Sequence, residues 1–344
     1  MKFEVQARLS RREPGIRGGT VRVLIISLFL AGTGMCVAQP LPLGTISNPS
    51  SVTCTTNFYP RSACTSVTVS CPDVADIQAT YSYVGPKGSK VGVVVLVNGA
   101  EDLTPGGAHY AGAYLDYDFA VEQVEFASAW EVTGETPNLK NAACRMATLL
   151  NYMQQATKSF PFGVHAGSAG AGAVGYALAW YGLAPQAVEL TSGPSFSNIE
   201  LGCEVPHPAH LLVVPTNGSS WTDLLTYNET NTEANMQAWT GDPTCAGTKN
   251  TSVPSGEAWA EMSVVYTGAK NYFPHMAISG WVCDNEANNS ASQTYEFFEQ
   301  ITSPWTLTAM TGCTGAEDVD FATTPQGVQG VVAIPADMQA NLHF

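Results

Sequence analysis

Between Phe160 and Trp180 the sequence passes from a short apolar run, Phe160-Pro-Phe-Gly-Val-His165, through Ala166-Gly-Ser-Ala-Gly170 into an alanine-rich stretch ending at Leu178-Ala-Trp180. A strand pattern that meets a helix pattern with no loop between them constrains the fold more than any other part of the chain. The turn has to be sharp, and only small residues fit around its apex. That is the layout of a nucleophile elbow, with Ser168 at the apex. The usual spacing is G-x-S-x-G; here it reads Ala166-Gly-Ser168-Ala-Gly170, with alanine in the first glycine position. The requirement for small residues is kept, since a larger side chain at Ala166 or Gly170 would clash across the turn. The backbone N–H of Ala169 would then lie at a helix N-terminus, facing any oxyanion that forms beside Ser168. The plainer alternative is a Gly/Ala-rich helix start packed closely on a sheet, with Ser168 as an ordinary N-cap.

The flanking elements bear on that choice. Val91-Gly-Val-Val-Val-Leu-Val97 is a continuous β-branched run, as expected of a strand buried on both faces of a parallel sheet. It opens into the loop Asn98-Gly-Ala-Glu-Asp-Leu-Thr-Pro-Gly-Gly107. Val121 to Ser128 alternates as a strand, and Leu139 to Thr157 carries apolar residues at helical spacing. Phe160–His165 is the strand that feeds the turn, Gly170–Tyr181 its helix, and Ala187–Gly193 the next strand. Residues 195–262 break this rhythm with Pro, Asn, Thr and Trp, and carry N-x-[ST] tripeptides at Asn217, Asn228 and Asn250. They read as an insertion over the sheet, with a strand near Leu211–Val214 and a helix near Glu233–Trp239. Alternation resumes with a strand Met276–Val282, a helix Ser292–Ile301 and a strand Trp305–Met310. A last helix is expected from Thr324-Pro325, bent or divided by Pro335. Strands alternating with helices predict an α/β fold, a mostly parallel sheet with helices on both faces and an irregular insertion or cap.

Residues 1–38 stand apart from that domain. Six basic residues precede Val23-Leu-Ile-Ile-Ser-Leu-Phe-Leu-Ala31, and Cys36-Val-Ala38 offers small residues before Gln39-Pro40. This is the layout of a signal peptide, so the chain is expected to be secreted or periplasmic, with no membrane span after cleavage. Residues 39–75, rich in Ser, Thr, Pro and Cys, read as an irregular lead-in or short edge strands; residues 76–344 form the main domain. The chain carries 14 Lys+Arg against 29 Asp+Glu, a net charge of −15. Without residues 1–38, which hold six basic and two acidic groups, the balance is 8 against 27, or −19. So acidic a chain offers little to a phosphate backbone, which argues against nucleic acid as a partner. The eight cysteines beyond Cys36 (Cys54, Cys64, Cys71, Cys144, Cys203, Cys245, Cys283 and Cys313) form an even set suited to an exported disulfide framework. Their spacing leaves connectivity open, although Cys54, Cys64 and Cys71 are close enough to staple the N-terminal segment. No C-x-x-C or H-x-x-x-H pair suggests a metal, and no phosphate loop or dinucleotide fingerprint suggests a cofactor.

Three features then arrive in an order that resembles the α/β-hydrolase superfamily: the loop Asn98-Gly99-Ala100, the elbow at Ser168, and Asp284 at the end of a late strand. Tyr176-Ala-Leu-Ala-Trp-Tyr-Gly182 and Leu190-Thr-Ser-Gly-Pro-Ser195 are similar to secreted bacterial esterase- or lipase-like members. The resemblance implies a serine hydrolase acting on a small-molecule or polymeric ester. Ser168 would be the nucleophile, Asp284 the acid of the triad, and the N–H groups of Gly99 or Ala100 with Ala169 the oxyanion hole. Asp284 also reads as an ordinary loop or helix-start carboxylate. The resemblance further implies a histidine after the last strand, in Thr311-Gly-Cys-Thr-Gly-Ala-Glu-Asp-Val319, and there Glu317 stands instead. A carboxylate with a pKa of about 4 is a much weaker base than imidazole near 6.5.

The six histidines do not fill the gap at once. His275 precedes its strand at the end opposite Asp284, and His165 is expected to pack in the sheet. His109 is expected in the loop after the Val91–Val97 strand, within reach of the site rim, His207 and His210 fall in the insertion, and His343 is terminal. The alternative to an ester hydrolase is therefore a catalytically degenerate α/β-hydrolase-like binding protein, or a disulfide-bonded surface protein. Tyr110, Tyr114 and Tyr117, with Trp221, Trp239 and Trp259, are candidates to stack on a sugar or aromatic ester, or to form core.

Overall fold

In a computed structural model of the chain, the β-branched run after Val91 becomes the strand Gly92–Val97, buried along its whole length. The structure describes residues 40–97, 107–131, 139–194, 196–199, 262–265, 276–283, 289–301, 304–313, 319, 322–324 and 326–342, with the backbone of 209–216 and 219–226. The strands are β1 (Thr45–Val52), β2 (Ala63–Cys71), β3 (Val74–Val84), β4 (Gly92–Val97), β5 (Phe119–Phe126), β6 (Phe162–Gly167), β7 (Ala187–Thr191), β8 (Ala209–Thr216), β9 (Ser219–Thr226), β10 (Ala277–Cys283) and β11 (Trp305–Met310). The helices are α1 (Ala108–Asp116), α2 (Leu139–Ala142), α3 (Cys144–Ala156), α4 (Ser168–Tyr181), α5 (Asn289–Gln300) and α6 (Gly330–Leu342).

Nine strands form one sheet in the order β1-β2-β3-β5-β4-β6-β7-β10-β11. The pairs from β1 to β5 are antiparallel, and all pairs from β5 to β11 are parallel. Alternate residues of the parallel strands enter two separate cores. Val93, Val95, Val164, Ala166, Val188 and Leu190 pack with α3 and α4 on one face. Val94, Leu96, Val121 and Trp281 pack with Tyr110 and Tyr114 of α1 and Met338 of α6 on the other. A sheet buried on both faces needs apolar residues at every position, which is why these strands read as continuous runs. Helix packing is tight enough to require glycine in β10: a Cβ on Gly280 would lie 2.5 Å from the Phe298 ring of α5.

Of the two readings of the segment before residue 76, the structure has edge strands over residues 45–52 and 63–71. These are β1 and β2, of 8 and 9 residues, which extend the sheet at its antiparallel edge. Their Ser/Thr-rich alternation fits an edge that is partly solvated, with Val67 and Val69 turned to the core. The disulfide Cys54–Cys64 closes the β1–β2 hairpin, Cys71–Cys144 ties β2 to α3, and Cys283–Cys313 joins the end of β10 to the segment after β11. The final helix starts at Gly330, not at Thr324. Thr324 closes a turn instead, its N–H bonding Val328 O at 2.8 Å and its Oγ1 accepting Val328 N–H at 3.1 Å. Pro335 lies inside one continuous helix and does not divide it. Its missing backbone donor is offset by burial of Ile334, Met338 and Leu342. The signal-peptide region and the expected helix Glu233–Trp239 lie outside the described residues, as do Cys203 and Cys245.

Candidate active site

β6 runs into α4 with no intervening residue: Gly167 ends the strand and Ser168 opens the helix. Gly167 is still extended, at φ −112° and ψ 149°, whereas Ser168 has φ 49°. A positive φ on a residue with a Cβ costs free energy of order 1–3 kcal/mol and persists only where the surroundings impose it. Here β6 is a central strand and α4 is almost wholly buried, so the chain has to reverse within one residue. Space is short as well. A Cβ on Gly167 would approach Thr191 Oγ1 to 3.0 Å, and Thr191 Oγ1 itself donates to Ala166 O at 3.4 Å. Farther along the helix, a Cβ on Gly175 would lie 3.1 Å from Pro194 Cβ. The N-cap position belongs to Gly167, which places Ser168 inside the helix start rather than at an ordinary cap. Ser168 remains half-buried, and Ala169 beside it is fully buried. The first N–H groups of α4 have no partners within the helix, and they carry the positive end of its dipole.

Of the other expected residues, Gly99, Ala100, Asp284 and Glu317 lie outside the described residues, as do His207, His275, His343, Trp239 and Trp259. His210 and Trp221 are described only as backbone positions of β8 and β9. Cys283, the residue before Asp284, ends β10 on the same side of the sheet as Gly167 ends β6, because both strands run parallel. His165 packs in the sheet, 4% exposed, with Nδ1 3.1 Å from Tyr114 Oη and its ring 4.3 Å from that of Tyr110. His109 is not in a loop; it lies exposed in the first turn of α1, stacked at 4.8 Å on Tyr110. Tyr110 and Tyr114 are core residues, 4% and 0% exposed, so they serve packing rather than stacking on a ligand.

A polar row crosses the sheet below Ser168, buried at β6, β7 and β10 and exposed at the edge strand β11. Register aligns His165 of β6, Glu189 of β7, Ser279 of β10 and Thr306 of β11. Glu189 Oε2 accepts Trp281 Nε1–H at 2.6 Å, Ser279 Oγ donates to Asp337 Oδ2 of α6 at 2.5 Å, and Thr306 Oγ1 donates to Ser279 Oγ at 3.0 Å. Burial first, and the Asp337 carboxyl second, hold the Glu189 carboxyl well above the usual range, against the opposing pull of the Trp281 bond. Periodicity could not expose this row, because Glu189 sits within a strand whose other residues are apolar or Thr. Among the described residues no three His, Cys, Asp or Glu side chains converge as a metal site, and no helix is long and apolar enough to cross a membrane.

A parallel sheet entered by an antiparallel edge, with a strained serine between a central strand and its helix, defines an α/β-hydrolase fold. The chain is similar to acetyl xylan esterase 1 from a Thermoanaerobacterium species, with a TM-score of 0.55, 13% identity, and 88% of this chain and 89% of that one covered. An acetyl xylan esterase from a Paenibacillus species (TM-score 0.48, 11% identity, coverage 78% and 82%) and carboxyl esterase 2 from Tuber melanosporum (TM-score 0.47, 12% identity, coverage 83% and 90%) are more distant. At such identity the likeness is one of fold. The sequence matches no protein-family model and no curated protein.

Proposed function

We propose that the chain is an exported ester hydrolase with Ser168 as its nucleophile. The observation that carries this reading is the φ of 49° at Ser168, where β6 turns directly into α4. Such a turn lifts the serine side chain above the sheet and turns the Ala169 N–H toward the same space. Ser168 Oγ attacks the ester carbonyl, its proton passes to a base, and the carbonyl oxygen becomes an oxyanion held by the N–H groups of Ala169 and of Gly99 or Ala100. Collapse of this intermediate expels the alcohol, which takes the proton, and water then releases the acid from Ser168. Each oxyanion donor is worth about 3 kcal/mol of barrier.

Asp284 and Glu317 are assigned to the remaining roles, with Glu317 where a histidine would otherwise accept the proton. Cys283 directly precedes Asp284 and Cys313 lies four residues before Glu317, so the disulfide between them tethers the chain next to both residues. The basic and apolar segment within residues 1–38 supports export, as do the three disulfides.

A fluorophosphonate probe tests the reading. It should label the oxidised protein at Ser168 between pH 4 and 9, and Ser168→Ala should abolish both labelling and hydrolysis of 4-nitrophenyl acetate. Absence of labelling across that range would leave a binding protein that retains the fold without a working base.

A further inference from the structure

Glu189 is 0% exposed in the middle of the sheet. Among the described residues its Oε2 accepts Trp281 Nε1–H, while Oε1 is buried with no donor. A buried carboxylate normally gathers several donors, because an anion stripped of water is very costly. The groups that face Glu189 do not supply them. His165 stands across from it on β6 and Ser279 on β10, Tyr114 comes from α1 and Asp337 from α6, and no cation is among them. His165 Nδ1 is engaged by Tyr114 Oη, and the Ser279 hydroxyl donates to Asp337. Asp337 is a different kind of carboxyl. It is half-buried, and its Oδ2 accepts Ser279 Oγ–H at 2.5 Å and Asn341 Nδ2–H at 2.9 Å. Glu189 lies within hydrogen-bonding reach of it. Two carboxyl groups bond each other only when one of them holds a proton. Donors and solvent gather at Asp337 and neither reaches Glu189 Oε1, so the proton belongs to Glu189 and the charge to Asp337. Among the described residues, Asp337 also makes the side-chain hydrogen bonds that tie α6 to the sheet.

We propose that Glu189 and Asp337 form a proton-held latch that docks α6 on the sheet and loosens as the pH rises. With the proton in place, the Glu189 O–H donates to the Asp337 carboxylate. When hydroxide removes that proton, water is formed and two carboxylates face each other in a dry place. Admitting water between α6 and the sheet relieves their repulsion and restores their hydration. The closed latch holds one proton that the loosened one releases, so each pH unit favours loosening by up to tenfold, and acid keeps the helix docked. α6 in turn braces the chain after β11, since Gly330 N–H donates to Ala322 O at 2.9 Å and a Cβ on Gly330 would clash with Val319 O. Loosening therefore reaches that segment, while α3 and α4 stay packed on the opposite face.

Hydrogen exchange of the oxidised protein between pH 6 and 9, read by mass spectrometry and corrected for the intrinsic pH dependence of exchange, compares α6 with α4. Protection of α6 in the wild-type protein should fall by up to tenfold per pH unit, and more steeply than that of α4. Glu189→Gln keeps an acceptor for Trp281 and an N–H for Asp337 but has no proton to lose, so its α6 should stay protected. Equal slopes in the two proteins, or α6 and α4 losing protection together, overturn the latch. Infrared spectra locate the proton independently. Burial raises Glu122 to about 8 as well, so the spectra are taken in the Glu122→Gln protein. At pH 7 it should show the carbonyl band of a protonated carboxyl, which adding Glu189→Gln removes. If Glu189→Gln does not fold, the band has to vanish over the pH interval in which α6 loosens. A band absent at pH 7, or one that outlasts the loosening, overturns the proposal.

Discussion

Glu122 and Glu189 hold carboxyl groups in two of the driest places in the sheet, 4% and 0% exposed. Burial pushes Glu122 up to about 8, with Lys90 pulling weakly the other way, and pushes Glu189 upward in the same sense. The folded protein thus keeps protons that the unfolded chain releases above about pH 4.5. Stability is then greatest in acid and falls as pH rises, over the window from about 4.5 to about 8 for Glu122. Each group adds a slope of at most ~1.4 kcal/mol per pH unit. Glu122→Gln, which mimics the protonated acid, should leave stability near pH 5 close to wild type and flatten the decline toward pH 8. Urea unfolding at several pH values measures it; an unaltered slope would show that Glu122 ionises freely in the fold. Neither glutamate stands out in the sequence. The alternation Val121-Glu-Gln-Val-Glu suggests a strand with one wet face, and only the covering of β5 on both sides shows that Glu122 is dry.

Among the elements, β10 and β11 lead toward the residues on which the proposed chemistry depends, and Cys283–Cys313 links the two across a sequence separation of 30 residues. Closing a loop of that length restricts the unfolded chain by about 3–4 kcal/mol in the entropic account. Cys283→Ala with Cys313→Ala should lower stability by roughly that amount. It should also lower esterase activity at temperatures where the fold is still intact, as followed by circular dichroism alongside hydrolysis. Activity and fold lost in step would mean that the disulfide acts on stability alone. Strands of this kind were the most legible elements. β4, β7 and β10 match apolar or β-branched runs because burial on two faces leaves a continuous signal, whereas the edge strand β11 is exposed at Trp305 and Thr306 and reads as an alternation. α1 was missed: its N-cap is Gly107 in the left-handed region with no side-chain bond, and no acidic residue marks its first turn. β1 and β2 read only as one of two alternatives, because an edge hairpin closed by a disulfide tolerates the Ser and Thr that otherwise signal a loop.

At the scale of the whole chain, five consecutive parallel pairings bring the carboxyl ends of six strands to one side of the sheet, and Ser168 stands among them. That gathering was visible in the order of strand and helix patterns, whereas a base to serve Ser168 was not. A base is fixed by contact between distant loops, and a loop leaves no periodic trace in sequence. Charge adds a property that belongs to no single site. With a net charge of −15, the protein repels an anionic ester during encounter and leaves a neutral one unaffected. Added salt shortens the reach of that repulsion, from about 30 Å at 0.01 M to about 10 Å at 0.1 M. For 4-nitrophenyl hemisuccinate, kcat/KM should therefore rise several-fold between those two ionic strengths. For 4-nitrophenyl acetate it should stay constant, so that the ratio of the two isolates the field from any effect of salt on the fold. An equal response of both esters would mean that the acidic groups lie too far from the path to Ser168 to act on a substrate. A response confined to the anion would favour neutral esters as the class the protein meets most productively at low salt.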